Sequence, residues 1–441
     1  MTVLTAAKPW FRLDRHDVRS TLPAAIQAIM QDGELERMFH ESLMPELLFP
    51  QVADSEPWQA GLGDTRIMTR NGLMATDTAP ITGSDPSTGS YDVEQWTVTM
   101  DQYGKSIDTN MLQSRMTLAS KYLNDIGRLG IQAGQTLNEL ARDKLYAGYA
   151  GGRTYATAAG TSDTSLEVES TDGFTHVLVD GVPTAVSASN PLDVTIDGVA
   201  NTVTGVNTST RVLTLGTARV DVLGDSVISS QAPYSVRAGA SNDTAFNLAA
   251  GDLITFADFR AAVTRLRRMN VPTVEGGNYV AHIDPVTESQ LFDDTEFQAL
   301  YRGRAESTTY RDFAIGTFGG LVWVRNNKVP ELSATGVHSD LSTTVHRPIV
   351  VGDGALVSAP FEDIGGFLRE TGVADVPDIR MVNVAPGADV ALIVRPPQDR
   401  LQQVVSTTWS WVGDYGVPSD SLANGDPAQF KRAVVLEHSA N

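Results

Sequence analysis

The stretch from Thr117 to Tyr149 constrains this chain more than any other. Leu118, Tyr122, Ile126, Leu129, Ala133, Leu137, Leu140 and Leu145 fall at mostly three- and four-residue steps, which puts them on one stripe of an α-helix. At about 1.5 Å per residue such a helix spans about 50 Å, well beyond the usual globular helix. It reads as a structural beam. Gly127, Gly130 and Gly134 cost it helix propensity, and the return expected for that cost is close approach of a neighbouring backbone on their side.

What precedes the beam has no evident core of its own. Residues 1–60 are polar and mixed, with short helical stretches (Ala24 to Met30, Leu35 to Met44) bounded by Pro23, Pro45, Pro50 and Pro57. Prolines at that spacing prevent a long helix and the apolar residues show no continuous face, so the segment reads as an arm. Two strands follow, Asp64 to Thr76 and Tyr91 to Ile107. In the second, Trp96, Val98 and Met100 alternate with Thr97 and Thr99. The turn-rich DTAPITGSDPSTGS between them makes residues 61–109 an extended hairpin, and a lone hairpin is marginal in water. Residues 110–159 hold the beam.

Residues 160–235 change character. Short runs (LEVES, HVLVDG, LDVTIDG, NTVTGV, RVLTLG, DSVISS) are punctuated by Asp172-Gly173, Asp180-Gly181 and Asp197-Gly198, which predicts a small β-sandwich or barrel inserted into a host domain. From 236 to 441 the pattern is mixed. Phe256, Phe259, Val263 and Leu266 predict a helix stopped before Pro272, NYVAHI a strand, and Asp284-Pro285 the cap and first turn of a helix through Phe292. LVWVRN, HRPIVVGDGALVSA, ADVALIVR and KRAVVLEH predict further strands. The class is α+β with an all-β insertion.

Composition excludes more than it assigns. There is no cysteine, which rules out disulfides, thiolate nucleophiles and cysteine-type zinc sites. With 53 acidic against 33 basic side chains the net charge is −20, which disfavours extensive phosphate contact; Arg265, Arg267 and Arg268 read as a solvated helix face. No apolar run is long enough to cross a bilayer. The seven histidines show no catalytic signature. Arg15-His16-Asp17 reads as a solvated turn, and His282 with Asp284 as a strand-to-helix junction lacking a third metal donor. Val351-Gly352-Asp353-Gly354 and Thr317-Phe318-Gly319-Gly320 lack the context of phosphate loops and read as turns. The Asp-Gly pairs lack the spacing of an EF-hand. Trp58, Trp96, Trp323, Trp409 and Trp411 are assigned to core and interface packing rather than to a ligand platform. No catalytic, metal-binding or cofactor-binding residue is predicted, and an enzyme is the least favoured class.

The order of the pieces (arm, long hairpin, spine helix, mixed domain, closing strands) is similar to the Hong Kong ninety-seven capsid fold. WTVTMDQYGKSID, QTLNELARDKLYAG, VPTVEGGNYVAHIDPVTESQLFDDTEF, AIGTFGGLVWVRNN and GDYGVPSD resemble the coat proteins of podoviruses related to phage N-four, over roughly residues 60–150 and 245–435. The chain departs from that pattern in its longer 160–235 insertion and in Asp284, where the family pattern has His. The resemblance implies a major capsid protein of a tailed bacteriophage that self-assembles, as hexamers and pentamers, into an icosahedral shell around double-stranded DNA. It implies a peripheral domain built on the spine helix, an axial domain from Tyr279 onward, and a hairpin and arm that reach neighbouring subunits. Arg66, Arg70, Trp96, Met100 and Tyr103 are the expected intersubunit contacts. The expected partners are the portal, a separate scaffolding protein, decoration proteins and DNA bound without sequence specificity, with assembly in the host cytoplasm, no membrane and no cofactor. The rival reading is another virion or surface structural protein, such as a tail, decoration or adhesin component, which the β-rich insertion favours.

Between Asp64 and Ile107 the only lysine is Lys105, near the hairpin base, so no covalent crosslink through the hairpin tip is expected. Boiled, reduced particles should run on a denaturing gel as a monomer band, and a ladder would contradict this.

Overall fold

The computed structural model describes residues 33–440 except 60–62, 73, 75, 79, 81–84, 86–87, 92, 117–120, 180–181, 240–242, 275, 303–315, 363–377, 386–387, 398, 402 and 419–430. The predicted helix at Ala24–Met30, the Arg15-His16-Asp17 turn and Asp180-Gly181 lie outside the described residues. The helices are α1 (Glu34–Leu43), α2 (Met111–Met116), α3 (Lys121–Tyr149), α4 (Phe256–Arg268), α5 (Pro285–Asp293) and α6 (Thr295–Arg302). The class is α+β, as predicted.

Helix α3 is the predicted beam, 29 residues long. Tyr122, Ile126, Leu129, Ala133, Leu137, Ala141 and Leu145 form its buried stripe, while Leu140 is only partly buried at the margin. Helix α1 corrects one part of the sequence reading, because Leu35, Phe39 and Leu43 do form a continuous face at four-residue steps and pack into the core of α3. The glycines of α3 make this possible. A Cβ at Gly130 would stand 2.7 Å from the Phe39 carbonyl oxygen, and one at Gly134 would stand 2.6 Å from that of Leu43. The neighbouring backbone that the glycines accommodate therefore belongs to the same chain. Past α1, the buried Asn138 side chain accepts hydrogen bonds from the backbone N–H groups of Leu48 and Phe49, at 3.0 and 2.9 Å. These two donors would otherwise be desolvated without a partner.

A mixed sheet lies against α3. Its order runs Thr317–Phe318, Leu321–Arg325, Tyr279–Ile283, Ile349–Val351, Ala433–Ser439, Val345–His346, Glu331–Leu332, and Ser235–Arg237 pairs parallel to Ala433–Ser439. Side chains alternate between two cores. Tyr279, Ala281, Ile283, Val350, Val434 and Leu436 meet Phe256, Phe259, Val263 and Leu266 of α4. Val280, Ile349, Val351, Ala433 and Val435 join the core of α3. Burial on both faces explains why these strands read as unbroken apolar runs rather than alternating ones.

The second sheet carries Ala53–Ser55, Leu356–Pro360, Val404–Gly416, Ala388–Arg395 and Asp378–Ala385, with Asp101–Asn110 along the other edge of Val404–Gly416. It is tied to the beam by Trp409, whose indole N–H donates to Gln132 at 2.7 Å, and by a Lys144–Asp414 pair at 2.7 Å. The sequence reading of one strand from Tyr91 to Ile107 is corrected here. The chain changes partner at Met100: Val93–Thr99 pairs with Thr65–Asn71, whereas Asp101–Asn110 pairs with residues 404–413.

Residues 153–229 form a six-stranded antiparallel sheet in the order Arg153–Tyr155, Ser226–Ser229, Leu192–Ile196, Val199–Asn207, Val212–Arg219, Asp163–Glu167. An antiparallel bridge between Ala156 and Val168 joins the two ends, closing a small barrel around Leu166, Phe174, Leu192, Val194, Ile196, Val203, Leu213 and Val227. Asp197 and Gly198, both at positive φ (46° and 76°), make the tight hairpin turn that the Asp-Gly pair predicts.

The glycine contacts of α3 set up a direct test. Gly→Ala in an open helix gains up to about 1 kcal/mol, but overpacking a core costs about 1–3 kcal/mol. Gly130→Ala and Gly134→Ala should each lower stability by about 1–2 kcal/mol in urea unfolding. Gly127→Ala, where the nearest atom is the Ser42 hydroxyl at 3.4 Å, should be neutral or stabilising.

Candidate interaction surface

Four of the five residues expected at subunit contacts fall at the root of a two-stranded ribbon. Thr65–Asn71 and Val93–Thr99 pair antiparallel, with Arg66 opposite Val98, Met68 opposite Trp96 and Arg70 opposite Glu94. Since side chains alternate along a strand, these six share one face. That face is turned inward. Met68, Trp96 and Val98 are buried against Trp58, Val357 and Ala359, with Met100 packed at the margin. Arg66 donates to the carbonyls of Glu56 and Pro57, at 3.3 and 3.1 Å, and pairs with the Glu56 carboxylate at 3.2 Å. Arg70 donates to the Gly354 carbonyl at 2.7 Å and lies over the Trp96 ring, 5.5 Å from its centroid. Tyr103 belongs to Asp101–Asn110, where it stacks on Trp411 at 5.9 Å. The structure thus gathers Arg66, Arg70, Trp96 and Met100 into the ribbon root and sets Tyr103 on the neighbouring sheet.

The opposite face is uncovered. Ile67 is 60% exposed and Val93 38%, flanked by exposed Thr65, Thr69, Thr97 and Thr99. Further toward the tip Met74 is 58% and Tyr91 55% exposed. Among the described residues the ribbon pairs with no third strand. Sequence reasoning missed these apolar residues although the signal was present: Ile67 and Val93 occupy the alternate positions to Met68 and Trp96, and choosing large side chains selected the buried phase.

Elsewhere, Asp284 caps α5 by accepting from the Val286 N–H at 3.2 Å, as the Asp-Pro pair predicts. Its carboxylate also meets the Nδ1 of His346 at 2.8 Å and the Thr287 hydroxyl, which in turn lies 2.7 Å from the Nε2 of His438. Burial would push Asp284 up, but the hydrogen bonds from His346 and Thr287 outweigh it and hold the carboxyl at about 2. The hydroxyl touches acid and imidazole at once, whereas a nucleophile needs the acid on the far nitrogen of its base. All four groups are buried, so the arrangement caps a helix and fastens Ala433–Ser439 to it. Among the described residues His282 has no hydrogen-bond partner for either ring nitrogen; it packs 4.6 Å from the Phe49 ring and is pushed down to about 3 by burial. Burial likewise pushes His438 down to about 4. Among the described residues no group of three or more His, Asp or Glu side chains is arranged to hold a metal ion, and no helix is long and apolar enough to cross a membrane.

No protein-family model and no curated protein matches the chain. Among solved structures it is similar to the capsid of Ralstonia phage GP4, at 15% identity over 88% of this chain and 87% of that one, with a TM-score of 0.48. It is similar to the capsid asymmetric unit of cyanophage Pam1 at 12% identity, covering 91% and 92% of the two chains, also with a TM-score of 0.48. It is similar to the capsid of cyanophage P-SCSP1u at 11% identity over 89% and 88%, with a TM-score of 0.45.

The buried histidines fix the sign of an acid response. Both have folded pKa values below the ordinary 6.5, so the unfolded chain binds more protons between about pH 6.5 and 3 and stability is lost as pH falls through that window. The urea midpoint should fall steadily below pH 6.5, and His282→Leu should flatten that decline. An unchanged slope in this variant would contradict the assignment of His282.

Proposed function

We propose that this chain is the major capsid protein of a tailed bacteriophage, and that its work is repeated association with copies of itself into a closed shell around double-stranded DNA. The observation that carries the reading is the ribbon: a two-stranded element with an inner face filled by its own chain, an outer face presenting Ile67 and Val93 to solvent, and Met74 and Tyr91 exposed just beyond its strands. A ribbon of that kind gains its remaining stability from a second surface. The ordered sequence blocks that resemble capsid proteins of the Hong Kong ninety-seven fold support a sister subunit as that surface.

The rest of the molecule suits this role. The spine α3 and its two sheets give a rigid body from which the ribbon extends, and contacts of modest size, each reversible, let misplaced subunits leave before closure. Subunits group as hexamers and pentamers in this account, with the portal, a separate scaffolding protein and decoration proteins as partners, and assembly takes place in the host cytoplasm. The net charge of −20 suits a wall that holds DNA without reading its sequence. The insertion at 160–235, whose barrel has a private core, projects from the outer face in this reading and is dispensable for assembly.

Electron microscopy of the purified full chain tests the proposal. Shells, capsomers or sheets support it; fibres or small rings point to a tail component, and dispersed monomers contradict it. The contact itself is tested by placing Lys at both Ile67 and Val93. Burying two unpaired ammonium groups per contact is strongly unfavourable, so assembly should require at least roughly tenfold more protein, while urea stability stays within about 0.5 kcal/mol because both positions are exposed in the subunit.

A further inference from the structure

One carboxyl group in the ribbon root is buried. Glu94 sits on the inward face between the ribbon and the body and is fully buried, and neither carboxyl oxygen has a hydrogen-bond partner among the described residues. A buried carboxylate in that state is costly, whereas the protonated acid is far less so. Two cations lie near enough to favour its ionisation, Arg70 and Lys431. Both are engaged elsewhere. Arg70 holds the Gly354 carbonyl, and the Lys431 ammonium donates to the carbonyls of Gly148 and Pro418, at 3.0 and 2.6 Å, beside the Tyr149 ring.

We propose that Glu94 is a proton-operated latch, in which the neutral carboxyl lets the ribbon root close on the body and its ionisation opens that root to water. Opposite Glu94 the ribbon brings Arg66 and Arg70, and Val404–Gly416 brings Asp414 and Tyr415. Leu356–Pro360 and Val182–Ala185 contribute no ionisable side chain, and the strand paired with the latter carries His176. Asp54, Arg70 and Arg432 converge at Gly354, where an added Cβ would come within 3.0 Å of all three, and Asp353 lies beside them. Glu56 is occupied by Arg66. None of these groups hydrogen-bonds Glu94.

Burial pushes Glu94 up from 4.5 to about 8, against the pull of Lys431 and Arg70. In an opened root the carboxyl returns to the ordinary carboxylate range. The closed state then binds more protons between about pH 4.5 and 8, and closure weakens as pH rises through that window, by up to about tenfold per pH unit, levelling off above it. The sign is opposite to that of the buried histidines, so the two effects are separable.

Hydrogen exchange of the full chain, read on peptides covering residues 93–99 between about pH 5.5 and 9 and corrected for intrinsic rates, measures the opening. The wild type should open about tenfold more per pH unit up to about pH 8, and Glu94→Gln, which mimics the neutral acid, should give a flat profile matching the wild type at low pH. Equal pH dependence in the two proteins would overturn the proposal. If the variant does not fold, difference infrared spectroscopy of the wild type between about pH 7 and 9 gives an independent answer. Loss of one protonated-carboxyl stretch supports the latch, and its absence refutes it.

Discussion

The architecture depends on the covering of one helix. The stripe of α3 from Tyr122 to Tyr149 runs about 40 Å, and an apolar surface of that length has to be buried along all of it. Three elements cover it together. Helix α1 lies over the glycines, the mixed sheet packs through Val280, Ile349, Val351, Ala433 and Val435, and the second sheet packs through Leu392, Val405, Trp409 and Trp411. They form one continuous core, so the beam's position also sets that of both sheets. The ribbon root is seated on the second of them.

Buried charge follows the same logic. Glu437, on the fully buried strand Ala433–Ser439, pairs with Arg237 at 2.6 Å and Arg347 at 2.9 Å. Burial pushes its carboxyl up, but the two guanidinium groups outweigh that and hold it below the usual range. Removing one partner from such a set leaves a buried charge uncompensated, which is far costlier than the pair is stabilising. Glu437 and Glu94 are thus two buried glutamates in opposite states, one held ionised by two ion-paired arginines and the other lacking any hydrogen-bonded or ion-paired partner among the described residues.

Much of this was legible in the sequence wherever a local rule decides the outcome. The period of α3, the Asp284-Pro285 cap, the Asp197-Gly198 turn and the burial of the five tryptophans all follow from residue chemistry at short range. The glycines of α3 foretold a close backbone approach, though not that α1 supplies it. Failures occurred where a distant partner decides. Val404–Gly416, the longest described strand, went unread because Ser406, Thr407, Thr408 and Ser410 hide an alternation completed by its neighbours. The break at Met100 carries no glycine or proline, since only the change of partner marks it. Glu94 stands in phase with Trp96 and Val98, but a carboxylate at a strand end reads as a solvated charge, and its burial is visible only once the ribbon is folded onto Val357 and Ala359.

The central claim is that the exposed apolar side chains of the ribbon and of the residues just beyond its strands are covered by another copy of the chain. Hydroxyl-radical footprinting of the assembled and dissociated protein measures this at Met74 and Tyr91, two reactive side chains more than half exposed in the subunit. Strong protection of both is predicted on assembly, with little change at Leu401, toward the other end of the sequence. Equal labelling of Met74 and Tyr91 in the two states would contradict it.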